Sequence, residues 1–294
     1  MAILVSKVMT GTLERTAKTR LERSCGTTGG DWIRAAPSEP GIERIEAYFA
    51  GHAYDPHRHD TYALGFTISG VQSFGYRGAR ADSLAGDAIV LYPDELHDGR
   101  AGAERGFRYR MIYIEPRLIA EALGGKARAL PFVRSAISSD PALLSALHAA
   151  LADLGRPFEP LERDKIMAQL ADALLALDKS QQAPASSATS VMAIERARAF
   201  LDENFTRMVA SEELEVITGI DRYTLARHFR TRLGTSPYRY LTMRRLDRVK
   251  SAIVSGHSLA DAAVMAGFAD QSHMTRQFKQ AFGLTPGHWQ AIRH

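Results

Sequence analysis

The sequence predicts a two-domain α+β chain, with an all-β barrel or sandwich and trailing helices in front and an all-α domain behind. Three observations predict it. Between Trp32 and Glu115, short β-type runs alternate with turns that contain Gly and Pro. From Pro141 the apolar period lengthens to that of a helix. Near its end the chain repeats itself: at a shift of 49 positions, Leu225–Pro237 falls on Met274–Pro286 and Asp221 falls on Asp270.

Residues 1–30 carry scattered basic side chains and close on Cys25-Gly26-Thr27-Thr28-Gly29-Gly30, which reads as an arm without packed structure. Ile42–Phe49, Ala63–Ile68, Ala88–Tyr92 and Arg108–Ile114 read as strands of one small β domain. Pro141–Leu154 sets Leu143, Leu144, Leu147, Leu151 and Leu154 on one helical stripe. Arg163–Leu177 does the same with Ile166, Leu170, Leu174 and Leu177. These two helices either cap the β domain or pair with a second copy of the chain. Gln181–Ser190 has no periodicity and reads as a flexible linker. The expected division is therefore arm 1–30, β domain with helices 31–178, linker 179–192 and all-α domain 193–294.

With 294 residues the chain can bury two ordinary cores, and 45% hydrophobic against 24% charged residues excludes a disordered or membrane class. Cys25 is the single cysteine, so no intrachain disulfide can form and a reducing compartment is expected. The early apolar run Ala2–Val5 is too short for a signal-peptide core or a membrane span. A cytoplasmic protein is expected. The net charge of +4 is unevenly placed: from Val191 onward 15 Lys+Arg face 10 Asp+Glu, while the first 190 residues hold 22 against 23. A neutral front on a basic rear fits a sensor joined to an anion-binding module.

The rear half reads as helices with caps. Ser211 is expected to cap a helix that runs to Thr218, with Glu212 and Glu213 in its first turn where the dipole favours acids. Gly219 permits a tight turn and Asp221 caps Arg222–Leu233. Ser258 with Asp261 starts Leu259–Ala266, Gly267 supplies the turn, and Asp270 caps Gln271–Phe282. Each pair has the layout of a helix-turn-helix, whose second helix enters the major groove of DNA. Between them Tyr238–Val254 makes a helix of about 25 Å, long enough to hold two readers near the spacing of one DNA turn, about 34 Å.

Within the readers, Leu225, Phe229 and Leu233, like Met274, Phe278 and Phe282, sit four apart and belong to the core. Arg227 and Arg276 fall off that stripe at matching positions, where a guanidinium can fork onto guanine. Arg222, Tyr223, Gln271, Ser272 and His273 lie at the N-terminal ends, where recognition helices meet base edges. Arg230 and Lys279 suit phosphate contacts. Arg244, Arg245 and Arg248 read either as further phosphate contacts or as a solvated helix face.

Residues 195–292 resemble the DNA-binding domain of AraC/XylS-type bacterial transcription regulators. The resemblance rests on Ala263–Lys279, closed by Phe282-Gly283-Leu284-Thr285-Pro286, and on the second helix-turn-helix 49 residues after the first. Tyr223 fills the place of the large aromatic that the family sets near the start of the first reader. Glu215-Val216-Ile217 stands where a small residue such as alanine is common. Residues 31–116 are similar to the cupin-like effector-binding and dimerisation domain of many such regulators, through Pro56–Tyr62, Ser69-Gly70, Gly86-Asp87 and Pro93–His97.

The wider cupin superfamily binds metal with a His-x-His pair, a glutamate shortly after and a later histidine. Gly51, His57, His59 and His97 match parts of that pattern, but Ala63 and Leu64 stand in the range of the glutamate. Three neutral imidazoles can still hold zinc or iron. The favoured expectation is nonetheless no metal and no cofactor. Instead His57, His59 and His97 hydrogen-bond a small effector within an apolar wall of Tyr62, Phe66, Tyr92 and Tyr113.

The function expected is a sequence-specific, effector-responsive transcription regulator with no enzymatic activity, reading two adjacent major-groove segments with residues 222–233 and 271–282. Its expected partners are double-stranded DNA, an unidentified small-molecule effector, a second copy of the chain and, for an activator as the resemblance implies, RNA polymerase; no membrane is expected. Two alternatives stay open. One is a metal-dependent cupin enzyme fused to a DNA-binding domain, against which the missing glutamate counts. The other is a front half that serves dimerisation alone.

Overall fold

A computed structural model of the chain describes residues 30–127, 129–179 and 188–293. All of the expected N-terminal arm but Gly30 lies outside these, as does most of the expected linker. The front domain runs β1 (Trp32–Ala35), β2 (Ile42–Phe49), β3 (His52–His57), β4 (Tyr62–Gly70), β5 (Gln72–Tyr76), β6 (Ala79–Ser83), β7 (Ala88–Leu91), β8 (His97–Ala101), β9 (Phe107–Ile114), α1 (Pro116–Leu123), β10 (Ile137–Ser138), α2 (Pro141–Leu151) and α3 (Pro160–Leu177). The rear domain runs α4 (Ala188–Asn204), α5 (Ser211–Thr218), α6 (Arg222–Leu233), α7 (Pro237–Val254), α8 (Leu259–Met265), α9 (Gln271–Phe282) and α10 (Pro286–Ala291). Helix α4 begins inside the span expected as linker, 179–192.

Two antiparallel sheets face each other: β1-β2-β9-β4-β7-β10 and β3-β8-β5-β6. They stay separate in hydrogen bonding among the described residues, so the barrel expected is an open one. The four strands read from sequence are β2, β4, β7 and β9, and all belong to the first sheet. Its inner face packs Ile45, Phe49, Tyr109 and Met111 against Phe74 and Tyr76 of the second. Its outer face is covered by α1, α2 and α3 in a separate core containing Tyr62, Leu64, Phe66, Leu147 and Leu170. The leucine stripes of α2 and α3 are thus consumed inside the chain. Glu46 on β2 clamps this layer. It accepts from Arg110 Nε at 2.8 Å and from Arg108, and Arg110 also donates to the Leu151 carbonyl at the end of α2 at 2.6 Å.

In the rear domain each helix-turn-helix has its own core. One gathers Ile194, Leu201, Leu214, Leu225, Phe229 and Tyr240; the other gathers Leu246, Val249, Ala262, Met274, Phe278 and Trp289. Helix α7 contributes to both, and its 18 residues span about 27 Å. The cap expected at Ser211 falls one residue earlier: Ser211 is the first helical residue, and the Glu213 carboxylate accepts the Ala210 N–H at 2.8 Å. Arg245, one of three arginines on α7 considered for DNA, instead donates to the carbonyls of Phe205 and Arg207 at 2.6 and 2.8 Å, fixing the approach to α5.

The two domains are packed together. Leu284 and Ile292 enter the core between the front sheets. The Ile33 N–H donates to the Ile292 carbonyl at 2.9 Å.

Candidate nucleic-acid interface and the cavity behind it

Helices α6 and α9 are built alike because the same residue types recur at both ends. At the start of α6, the Asp221 carboxylate accepts the N–H groups of Tyr223 and Thr224 at 3.1 and 3.0 Å. At the start of α9, Asp270 accepts that of His273 at 2.6 Å. Each helix ends at a glycine in the left-handed region, Gly234 and Gly283, both with φ of 70°. Leu225, Phe229 and Leu233, with Met274 and Phe278, face inward and are buried. Arg227 and Arg276 stand exposed at equivalent positions, as do Gln271 and Ser272 at the head of α9, while Tyr223 is 74% exposed at the head of α6. Two further side chains expected as base readers have partners within the rear domain. Arg222 pairs with Glu212 at 2.7 Å and Glu215 at 2.9 Å on α5, and His273 lies edge-on against Phe268.

The C-terminal ends of both readers rest on the front domain, at equivalent positions. Arg230 pairs with Asp94 at 3.3 Å, and Lys279, its counterpart in the repeat, pairs with Asp55 at 2.6 Å. Gly234 lies against Pro93, where an added Cβ would come within 2.6 Å of the ring. Gly283 lies against β3, where a Cβ would come within 2.8 Å of both the Asp55 carbonyl and His57 Nδ1. Backbone bonds complete the second contact: Asp55 N–H to the Gly283 carbonyl at 3.2 Å and Arg58 N–H to the Gln280 carbonyl at 3.1 Å.

Arg244 departs from the sequence expectation of a phosphate contact or a solvated face. Its side chain is 14% exposed at the domain junction, and its guanidinium meets Glu115 at 2.5 Å, Asp60 at 3.1 Å and Asp247 at 3.2 Å. The third arginine of that set, Arg248, is exposed on α7. Lys250 bridges the domains to Glu43 at 2.5 Å. Burial raises the Asp60 carboxyl to about 6, the pull of Arg244 only partly countering it. Burial also acts to raise Glu115, but there Arg244 and Arg117 more than offset it and hold the carboxyl below its ordinary value.

Between the domains lies a cavity of about 520 Å³. Ile42, His57, His59 and Tyr113 line it from the front, and Arg244, Lys250, Phe282 and Trp289 from the rear. The expected effector wall is therefore split. Tyr62 and Phe66 share one face of β4, and the two-residue period of a strand turns them to the helix side of the sheet, away from the histidines. The Tyr62 hydroxyl donates to the Pro131 carbonyl at 2.8 Å, Phe66 packs on His148, and Tyr92 packs against Tyr62 and Phe132. Tyr113 alone of the four aromatics reaches the histidines, edge-on to His59 at 5.2 Å between ring centroids.

The three histidines do come together. One ring nitrogen from each of His57, His59 and His97 lies within 4.8 Å of the other two, and no carboxylate joins them among the described residues. All three are buried. Burial, then the neighbouring imidazoles, holds His57 and His59 well below their ordinary value; burial brings His97 down to about 4. The rings are neutral at pH 7 and thus available as hydrogen-bonding or metal-ligating groups.

Sequence reasoning missed the acids of the junction, namely Glu43, Asp55, Asp60, Asp94 and Glu115. Their cationic partners are far away in the chain, with Asp60 and Arg244 separated by 184 positions, so no local spacing announces the pairs.

The chain matches two family models: an AraC-like ligand-binding domain over residues 39–171 and a helix-turn-helix domain over residues 216–292. It is similar to the HTH-type transcriptional regulator YbfI of Bacillus subtilis, 26% identical over 78% of this chain and 86% of that protein. It is also similar to the HTH-type transcriptional activator RhaS of Yersinia pestis, 32% identical over 30% of this chain and 32% of that protein. In fold it is similar to ToxT of Vibrio cholerae, with a TM-score of 0.62 and 11% identity, covering 86% of this chain and 98% of the other. The form of ToxT with unsaturated fatty acid bound matches at a TM-score of 0.59 and 12% identity, over 85% and 94% of the two chains. Among the described residues no helix is long and apolar enough to cross a membrane.

Proposed function

This chain is a DNA-binding transcription regulator of the AraC type, and from that premise we propose that α6 and α9 read two adjacent major-groove segments of one duplex while the interdomain cavity takes a small-molecule effector. The observation that carries the reading is the pair of equivalent helices with equivalent caps and outward-facing arginines, Arg227 and Arg276, joined by one helix of about 27 Å. Arg276, Arg227, Tyr223, Gln271 and Ser272 meet base edges, and Arg230 and Lys279 meet phosphates. Arg222, exposed but paired with Glu212 and Glu215, and His273, packed against Phe268, lie at the heads of the two readers beside them.

The effector class proposed is a small organic acid with an apolar body. Arg244 and Lys250 lie in the cavity wall among Ile42, Met243, Phe282 and Trp289. The bound fatty acid in a protein of the same fold supports that class. His57, His59 and Tyr113 face the same space, whereas Tyr62, Phe66 and Tyr92 take no part. The proposal gives the chain no catalytic role. A homodimer, and contact with RNA polymerase in an activator, complete it.

In the docked arrangement Asp94 and Asp55 occupy the cations that phosphates would meet, so the front domain competes with DNA for both readers. An effector that binds the docked and undocked states unequally then sets DNA affinity. The test is to recover and sequence genomic fragments bound by the full-length protein. A shared motif of two elements about one helical turn apart is expected. Salt-sensitive binding with no motif would refute the double reader.

A further inference from the structure

We infer that His57, His59 and His97 form a site for one divalent transition-metal ion, and that this ion clasps together the two front-domain segments that hold the two DNA readers. The first part stands on hydrogen bonding. Each imidazole uses Nδ1 on a backbone carbonyl two residues away: His57 on Asp55 at 2.8 Å, His59 on Thr61 at 3.0 Å and His97 on Glu95 at 2.9 Å. A carbonyl only accepts, so each Nδ1 carries the proton and each Nε2 keeps a bare lone pair. Backbone carbonyls on the far nitrogen are the partners that orient metal-binding histidines. His59 Nε2 is buried with no partner at all.

The spacing fits as well. Three points no more than 4.8 Å apart share a centre within about 2.8 Å of each, against a zinc–imidazole distance of about 2.0–2.1 Å. Each ring therefore needs to move inward by no more than about 0.7 Å to reach bonding distance. Three imidazoles without a carboxylate suit zinc, iron, nickel or copper rather than magnesium or calcium. His57 and His59 border the interdomain cavity, which leaves room for water or an effector group as a further ligand.

The second part stands on where the ligands sit. His57 and His59 belong to the segment 55–59, whose Asp55 and Arg58 bond to the end of α9. His97 follows the turn whose Pro93 and Asp94 receive Gly234 and Arg230 of α6. The two segments already touch through the Asp94 N–H and the His59 carbonyl at 2.7 Å. An ion shared by the three rings fixes both segments in the shape that docks the readers, so the metal-loaded protein is the weaker DNA binder. This coupling rests on the DNA-reading function proposed above; the metal site does not.

Full-length protein without a histidine tag, stripped with chelator, is titrated with Co²⁺ and, separately, Zn²⁺. One tightly held equivalent is expected, with the visible bands of low-coordinate cobalt and an X-ray absorption signature of three imidazoles in the zinc form. These readouts use the unmodified chain, so they stand even where a histidine variant fails to fold. A folded His97→Asn variant should lose the equivalent. No retained metal, no imidazole signature, or unchanged binding in folded His97→Asn would overturn the site. On a duplex recovered by the genomic selection, the zinc-loaded protein should bind about five- to tenfold more weakly than the stripped protein. The full-length Asp55→Asn, Asp94→Asn double variant should bind metal yet lose that difference. Equal DNA affinity of loaded and stripped wild type would overturn the clasp. Absence of any motif in the selection would instead overturn the reader assignment and leave the metal result standing.

Discussion

Arg276 stands exposed on α9 with Met274 and Phe278 buried beside it, so its guanidinium faces outward from a fixed helix. Replacing it with alanine should cost about 1–3 kcal/mol of discrimination at one base pair and relax specificity there. Competition binding with single-base variants of the selected duplex measures this. Lys279→Ala should weaken binding evenly across sequences and lower the salt slope by about 1. Gly283 offers a different kind of test. Its left-handed φ alone makes alanine cost about 1–2 kcal/mol, and the new Cβ would also press on the Asp55 carbonyl and His57. Gly219 has a similar φ of 71° but open space around it. Gly283→Ala should therefore lower the melting temperature more than Gly219→Ala. At this scale the sequence revealed which side chains of α9 face outward, because helix phase alone separates Arg276 from Phe278. It could not reveal that Arg222 is tied to Glu212 and Glu215, or that Arg244 is buried, since those facts depend on packing between elements.

Helices α6 and α9 were readable to the residue. Both readers have acids at the N-cap and glycines at the C-cap, and these leave little choice of boundary. Asp270→Ala should cost about 1 kcal/mol of stability through the lost cap, measured by denaturant unfolding. The strands divided by environment. Strands β2, β4, β7 and β9 are buried on both faces or nearly so, and their apolar runs stand out. The second sheet was not readable: β8 reads HDGRA, β3 reads HAYDPH, and their pairing is interrupted by register shifts. The clamp at Glu46 gives the front domain an acid limit. Burial acts to raise this carboxyl, but the hydrogen bonds from Arg110 and Arg108 outweigh it and hold it below its ordinary value. A depressed folded-state value means that the clamp stabilises fully above the ordinary carboxylate range and is lost as pH falls through the folded value. Melting temperature should thus drop on acidification below about pH 4.5, and Glu46→Gln should flatten that limb.

Across the whole molecule, the β-rich front and helical rear were readable from the change of period, while the junction between them was not. That junction pairs an unrepeated front domain with a repeated rear one, through Asp94 with Arg230 and Asp55 with Lys279. Asp55→Asn combined with Asp94→Asn should raise DNA affinity at least about fivefold, read by fluorescence anisotropy at fixed salt. A smaller change would mean that the docked state does not compete with DNA. The two attachments also behave as a bivalent complex of the protein with itself. When one reader lets go, the other keeps it near its partner at an effective concentration of about millimolar. Freed ends are recaptured before a duplex can collect them, so each single substitution should do far less than half of what the pair does. Release then takes the form of a threshold, and the regulator would answer its effector as a switch with a delay rather than as a dial.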